Sequence, residues 1–253
     1  MSPVVSIELE WNYTPLNYLE EPINLVFDGV SLDIKNGKGR AVITPEQFEK
    51  NSTIKEDLHN FIESRFQAVQ IFNHKDFELS SPSRTDLRED GKKHHYLQVN
   101  SVTFGMTCSS VDFVVKDKNG NIKSDTKRDR LERQNNYAEI LEKHRNTDPT
   151  LLQLCSSYQM SVKDPDNEFV HLYEVRDALV TRFTSKKLAL RELNITSTQW
   201  DEIGKLANTL PLKQGRHRGK APGLLRNANP SELEQGRKSA VNLIEKYLEY
   251  LEK

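Results

Sequence analysis

The stretch Val4-Val-Ser-Ile-Glu-Leu-Glu-Trp-Asn-Tyr13 decides the fold class of the first half of the chain. Its apolar residues alternate with polar ones, which is the period of a strand with one buried face. The same pattern continues in residues 23–27, 30–34 and 39–43, separated by glycine and asparagine positions that suit tight turns. The first half is therefore predicted to be mainly antiparallel sheet.

A helix is predicted to interrupt these strands. Thr44 is a candidate N-cap before Pro45, and apolar residues then recur three or four positions apart between Leu58 and Phe66. Residues 80–93 are polar, contain proline and glycine and follow no period, so they predict an exposed loop.

Three more strands and a hairpin complete the prediction for the first half. Short apolar or alternating runs predict strands at residues 69–72, 96–99 and 101–107. The dipeptide Asn119-Gly120 predicts a hairpin turn, because it tolerates the positive φ angles of a two-residue turn.

The period changes after about residue 124, where apolar residues begin to recur at helical spacing. Residues 125–144 lack glycine and proline and are very polar, so they predict a solvent-exposed helix. We therefore predict an α+β protein with a sheet domain at residues 1–124 and a C-terminal bundle of about five helices at residues 125–253.

Two helix starts in the second half carry a recognisable cap pattern. Thr196 with Gln199 and Ser231 with Glu234 each have the spacing of a capping box, in which a hydroxyl and a carboxyl or amide group satisfy free backbone N–H groups. Both pairs precede an apolar stripe, so each predicts the first turn of a helix.

The composition excludes several classes of protein. Lys plus Arg number 36 and Asp plus Glu 37, so the net charge is −1 and no global field selects a partner. No apolar run reaches the roughly 18 residues of a membrane span, and the N-terminus lacks a secretion pattern, so we expect a cytoplasmic protein without a membrane partner. Cys108 and Cys155 form no CxxC pattern, and no metal or cofactor motif occurs, so we expect neither metal nor cofactor.

The sharpest local feature is a basic segment near the C-terminus. It contains six Lys or Arg residues and no Asp or Glu: Lys205, Lys213, Arg216, Arg218, Lys220 and Arg226. Its glycines allow close backbone approach, and guanidinium groups bind phosphate oxygens in pairs. His217 lies between two arginines, and histidine exchanges protons near neutral pH. The segment therefore predicts an anion site, most simply for a nucleic-acid backbone.

Two other interpretations of this region stay open. A basic loop is often a solvated linker or the site of internal ion pairs. Residues 185–206 also have the pattern of a helix-turn-helix, but Asp201 and Glu202 would repel phosphate where base-contacting side chains should lie. Trp200 lies on an apolar stripe and is predicted to be a core residue, and Arg176 either pairs with a carboxylate or binds phosphate.

The order of three motifs resembles a known superfamily over about residues 165–253. They are the helix Tyr173-Glu-Val-Arg-Asp-Ala-Leu179, the motif Leu212-Lys-Gln-Gly-Arg-His-Arg-Gly219 and a closing helix that ends Tyr247-Leu-Glu-Tyr-Leu251. Together they resemble the HEPN superfamily of helical bundles and, more closely, bacterial two-part proteins labelled methylamine-utilisation accessory proteins. For active HEPN members the resemblance implies metal-independent endoribonucleases that work as dimers in toxin–antitoxin and antiviral defence systems.

The HEPN motif is an Arg followed four to six residues later by a His, and this chain departs from it. Lys213 stands where that Arg would be, and Arg216 is directly next to His217. The resemblance implies that His217 acts as general base or acid on a ribose 2′-hydroxyl. It also implies that Arg216 and Arg218 stabilise charge on the phosphate, with Lys213 replacing the missing Arg.

We therefore expect a dimeric HEPN-like protein that binds RNA or another nucleic acid and cleaves RNA in a defence or stress role. The nucleic-acid contacts expected besides the catalytic group are Lys213, Lys220, Arg226 and Arg176. The alternative is a non-enzymatic component of a larger complex, in which the sheet domain recognises a partner and the helical part serves oligomerisation.

Overall fold

A computed structural model describes residues 2–96, 112–116, 119, 121–220 and 223–253. The protein has an α+β fold, as predicted, with antiparallel strands in its N-terminal half and most of its helices in the C-terminal half. It divides into two compact units, which combine residues 1–66 with 77–127 and residues 67–76 with 128–253.

The first unit is built on an antiparallel sheet in the strand order β2-β3-β4-β1-β6-β7, with β5 pairing with the end of β1 and β8 pairing with β9 in a separate ribbon. The elements of this half of the chain are β1 (Val4–Thr14), β2 (Ile23–Phe27), β3 (Val30–Lys35), β4 (Lys38–Ile43), α1 (Pro45–Lys50), α2 (Ile54–Asn73), β5 (Glu78–Leu79), β6 (Ser83–Arg88), β7 (Lys93–Tyr96), β8 (Val114–Lys116) and β9 (Ile122–Asp125).

The core of the first unit lies between the inner face of the sheet and α2. Phe66 of α2 packs edge-on against Tyr13 with a ring-centroid distance of 4.9 Å, and Trp11 donates a hydrogen bond from Nε1 to His59 Nδ1 at 3.2 Å. Strand alternation and the helical stripe therefore meet as the sequence predicts. Thr44 forms the N-terminal capping box of α1.

The other predictions for the first half have different outcomes. Residues 69–72 are helical and lie within α2, so the predicted strand there is wrong. The loop predicted at 80–93 is also wrong, since β6 and the start of β7 occupy it. The hairpin predicted near residue 120 is confirmed by the antiparallel pairing of β8 with β9. The strand predicted at 101–107 lies outside the described residues, as do residues 97–99 of the strand predicted at 96–99.

The second unit is helical. Its helices are α3 (Thr126–Arg145), α4 (Pro149–Lys163), α5 (Glu168–Phe183), α6 (Lys186–Glu192), α7 (Ser197–Gly204) and α8 (Pro230–Leu251), with 3₁₀ turns at Pro165–Asn167 and Arg218–Lys220 and a π-helical turn at Lys205–Thr209. The largest fully buried side chains of its core are aromatic, namely Tyr158, Phe169, Trp200 and Tyr247. Trp200 is thus confirmed as a core residue.

The caps of the second unit explain where its helices begin. Thr196 and Gln199 form the predicted capping box of α7. The box predicted at Ser231 is wrong: Asn229 and Glu232 form it instead, with Pro230 at the first helical position. Pro230 favours this register because it has no N–H to satisfy and its φ is already helical.

Candidate nucleic-acid interface

The basic segment begins in the π-helical turn after α7 and leaves the core at Leu212, which is 1% exposed. Beyond this anchor the chain projects as a loop, whose residues 213–220 we call the basic loop. Two backbone hydrogen bonds close its base: Lys213 N–H donates to Arg226 O at 2.9 Å, and Arg226 N–H donates to Pro211 O at 3.0 Å. The loop is therefore held at both ends.

Gly215 fixes the path of the chain inside the loop. A Cβ atom at this position would lie 2.9 Å from Ala207 O and 3.2 Å from Leu212 O. The next residue, Arg216, donates its N–H to Ala207 O at 2.7 Å. The absence of a side chain at Gly215 therefore lets the loop attach to the π-helical turn.

Lys213, His217 and Lys220 are exposed on the basic loop. Within the described part of the chain, no hydrogen bond or ion pair involves the side chains of these three residues. Lys220 donates its N–H to His217 O at 2.9 Å, so the histidine and the second lysine share one 3₁₀ turn. Two ammonium groups and one imidazole of the loop thus face solvent without a counter-ion from the described chain.

Arg216 lies over a tyrosine of α5. Its guanidinium carbon is 4.2 Å from the Tyr173 ring centroid, and its Nη1 donates to Asp177 Oδ2 at 3.3 Å. The stacking fixes the plane of the guanidinium group, while Asp177, with a side chain 50% exposed, balances its charge.

Arg176 lies on the same tyrosine, as expected if α5 packs against the motif. Its guanidinium carbon is 4.9 Å from the Tyr173 ring centroid and 5.6 Å from that of Trp200. A Cβ on Gly204 would come within 2.4 Å of Arg176 Nη1, so this arginine is packed tightly against α7. Its Nε is buried without a hydrogen-bond partner in the described structure. Tyr173 therefore joins the two arginines that the sequence keeps 40 positions apart.

Arg218 holds the loop in place. It donates from Nε to Gly215 O at 2.9 Å and from Nη2 to Asp166 O at 3.1 Å, and it also bonds the side chain of Asn167. These bonds tie the loop to the 3₁₀ turn before α5. Arg218 therefore positions the loop, and its expected role in stabilising a phosphate stays a prediction.

Arg226 is paired with a carboxylate of α8. Its two terminal nitrogens donate to Glu232 at 2.7 and 2.6 Å, and this bond lowers the pKa of Glu232 to about 2. Glu232 also accepts the Asn229 N–H in the capping box. Arg226 is thus paired at the start of α8, and its expected contact with a phosphate stays a prediction.

Tyr173 and Asp177 contact Arg216 of the candidate site. Sequence reasoning gave Tyr173 no role and named Asp177 only as one of two carboxylates that Arg176 could hold. Tyr173, Arg176 and Asp177 are spaced three and four residues apart, so they share one face of α5. That spacing is the signal that could have found them. The charge balance of Arg216 could not have been found in the basic segment itself, because its partner lies on another helix.

Comparisons with protein-family models, with curated proteins and with solved structures found no match. Among the described residues, no group of three or more His, Cys, Asp and Glu side chains is arranged to hold a metal ion. None of the described helices has the length and apolar character needed to cross a membrane.

Proposed function

We propose that the protein is a HEPN-like RNA-binding protein whose basic loop contacts the RNA backbone. The observation that carries the proposal is the exposure of Lys213, His217 and Lys220, whose side chains have no counter-ion within the described chain. Phosphate contacts by such cations release bound counter-ions from RNA, which favours binding. Arg216 adds a planar guanidinium group that can bind two phosphate oxygens after an RNA phosphate displaces the Asp177 carboxylate.

The same site supplies the groups for RNA cleavage. His217 accepts the proton of a ribose 2′-hydroxyl while the 2′-oxygen forms a bond to phosphorus and the bond to the 5′-oxygen breaks. The leaving 5′-oxygen takes up a proton from water, and the products are a 2′,3′-cyclic phosphate and a 5′-hydroxyl. Lys213 and Arg216 stabilise the charge on the phosphate in this step. In this proposal the reaction needs no metal. The protein is proposed to be a cytoplasmic dimer that acts in a defence or stress system.

RNA cleavage is tested with total RNA and purified protein in the presence of a chelator. The wild type should produce fragments that end in a cyclic phosphate, and His217→Ala should lose them. His94→Ala is the matched control, because His94 is exposed on β7 in the other unit. Equal cleavage by the wild type and His217→Ala would contradict the proposed nuclease activity, and only RNA binding would remain as the proposed function.

RNA binding is tested by its dependence on salt. For single strands the slope of log affinity against log salt is about −0.7 per neutralised phosphate. Lys213→Ala with Lys220→Ala should weaken binding and make the slope shallower by roughly 1.4, since two contacts are lost. Lys116→Ala with Lys123→Ala removes the same charge from the β8–β9 ribbon as a control. An unchanged slope in the loop variant contradicts the proposal.

One observation favours the alternative, a component of a larger protein complex. The β8–β9 ribbon and the residue before it expose four large apolar side chains: Phe113 (64%), Val114 (53%), Val115 (51%) and Ile122 (49%). Exposed apolar side chains of this density are typical of protein contacts. In that case Val115→Lys would disrupt assembly in sedimentation experiments and leave RNA affinity unchanged.

A further inference from the structure

Strand β8 of the β8–β9 ribbon is exposed on both of its faces. All three of its residues are exposed, with Val114 at 53% and Val115 at 51%, and Phe113 directly before them is 64% exposed. Successive side chains of a strand point to opposite faces, so solvent reaches both sides of β8. A two-stranded ribbon on its own is only marginally stable in water, and further strands stabilise it. The ribbon therefore favours the addition of another strand.

The hydrogen bonds of Phe113 define which edge of β8 is open. Its C=O accepts from Thr126 N–H at 3.1 Å and its N–H donates to Thr126 Oγ1 at 2.9 Å, so both groups point towards the end of β9. Backbone groups of successive residues point to alternate edges, so those of Val114 point to the other edge, where no described strand pairs with β8. The bulge of the ribbon skips Lys123 of β9, so β8 keeps its own alternation and Lys116 points the same way as Val114. Such an edge pairs readily with another strand.

The sequence Asp112-Phe-Val-Val-Lys116 is complementary to itself in the antiparallel direction. When two copies pair about a twofold axis through Val114, Asp112 of one copy lies opposite Lys116 of the other, and Phe113 lies opposite Val115. The Val114 backbone groups point to the open edge, so the two copies can exchange hydrogen bonds in this register. Parallel pairing in register would instead place like charges opposite each other, which is unfavourable. Backbone direction and side-chain charge thus agree on one pairing.

Both faces of this pairing are favourable. On one face, Phe113 and Val115 of the two copies form two aromatic–aliphatic cross-strand pairs. On the other face, the two Val114 side chains meet between two Asp112–Lys116 pairs. Lys116 is exposed and makes no side-chain hydrogen bond or ion pair with the part of the chain that the structure describes. Asp112 accepts from Thr126 Oγ1 at 3.3 Å, and a carboxylate has acceptor sites for a further donor.

We propose that two copies of this chain associate through β8, whose open edges pair antiparallel about Val114 and form a four-stranded sheet in the order β9-β8-β8-β9. The inference rests on the proposed function only for the existence of a dimer, since RNA contacts play no part in it. Each protomer keeps its own basic loop, so charge changes on the ribbon leave the phosphate contacts of that loop in place.

The test measures self-association of the full chain by sedimentation velocity over a wide range of concentration. Asp112→Lys places like charges opposite each other on both sides of the axis, and so does Lys116→Asp. Each single reversal should therefore raise the dimer dissociation constant at least about tenfold. The double variant Asp112→Lys with Lys116→Asp makes the opposing charges complementary again and should restore association. Lys123→Asp, an equal charge reversal at an exposed position of β9, is the matched control and should leave association unchanged.

Val114→Pro tests the backbone pairing independently of charge. It removes an N–H that points to the open edge, a position at which a strand tolerates proline, so the variant should fold and stay monomeric. A wild-type chain that is monomeric at every concentration would overturn both the dimer and its interface. A dimer that persists in the two single reversals or in Val114→Pro would overturn the interface alone, and so would a folded double variant that does not associate.

Discussion

Asp177 is the residue whose removal should strengthen RNA binding. Its pair with Arg216 is largely exposed, so it is worth at most about 1 kcal/mol, and RNA phosphate has to displace it. Asp177→Asn should therefore raise RNA affinity by up to about fivefold, as measured by fluorescence anisotropy at constant salt. Glu139→Gln, an exposed position of α3 with the same loss of negative charge, serves as control. Weaker binding by Asp177→Asn would show that this carboxylate helps to position Arg216.

Gly215 and Gly219 form a matched pair within the basic loop. Gly215→Ala forces a Cβ against the Ala207 carbonyl, so it should reduce the free energy of unfolding by roughly 1 to 3 kcal/mol. A Cβ on Gly219 would have no described atom within 4 Å. Gly219→Ala should therefore change the free energy of unfolding by less than about 0.5 kcal/mol. Urea unfolding measures both. Equal values for the two variants would contradict the close packing of the loop on the π-helical turn.

Helix α8 is the element whose start depends on a charge pair. Glu232→Gln keeps the capping side chain but loses the pair with Arg226, which is half exposed, so the loss should be below about 1 kcal/mol. The pKa of Glu232 is below the ordinary 4.5 in the folded state, so the stabilisation is present above pH 4.5 and is lost as the pH falls towards 2. The midpoint temperatures of thermal unfolding of the wild type and Glu232→Gln should therefore differ at pH 7 and converge at low pH. A gap that persists well below pH 2, where Glu232 is protonated in the folded protein as well, would exclude the ion pair as its source.

The elements that could be predicted from the sequence are those whose period is long and regular. The alternation of β1 and the polar run of α3 extend over 10 or more residues, and both elements are present. Residues 69–72 look like a strand in isolation, because a short apolar run fits a buried helix equally well, and only the stripe from Leu58 onward assigns them to α2. β6 was missed because its side chains Ser83–Arg88 are polar or partly buried and show little alternation.

At the scale of the molecule, the candidate site could be predicted only in part. The basic segment and the exposure of His217 follow from local sequence, since glycine and charge keep this loop out of the core. The ion pairs of the basic segment do not follow from local sequence, because Asp177 and Glu232 belong to helices that precede and follow the segment. An acid-free segment thus indicates where cations concentrate, while the fold decides which of them stay unpaired.

His74 should make the helical unit sensitive to acid. The His74 side chain is 15% exposed, with Tyr158, Glu168 and Arg237 around it, and its backbone has a positive φ of 48°. Burial and the Arg237 charge lower the pKa of the ring from 6.5 to about 3. Below pH 6.5 the unfolded chain therefore binds a proton that the folded protein refuses, so the free energy of unfolding falls by up to about 1.4 kcal/mol per pH unit from this group. His74→Asn removes the titration, and asparagine tolerates the left-handed conformation. Urea unfolding between pH 6.5 and 4 should give a steeper decline for the wild type than for the variant. Parallel declines would mean that His74 accepts its proton in the folded protein as readily as in the unfolded chain.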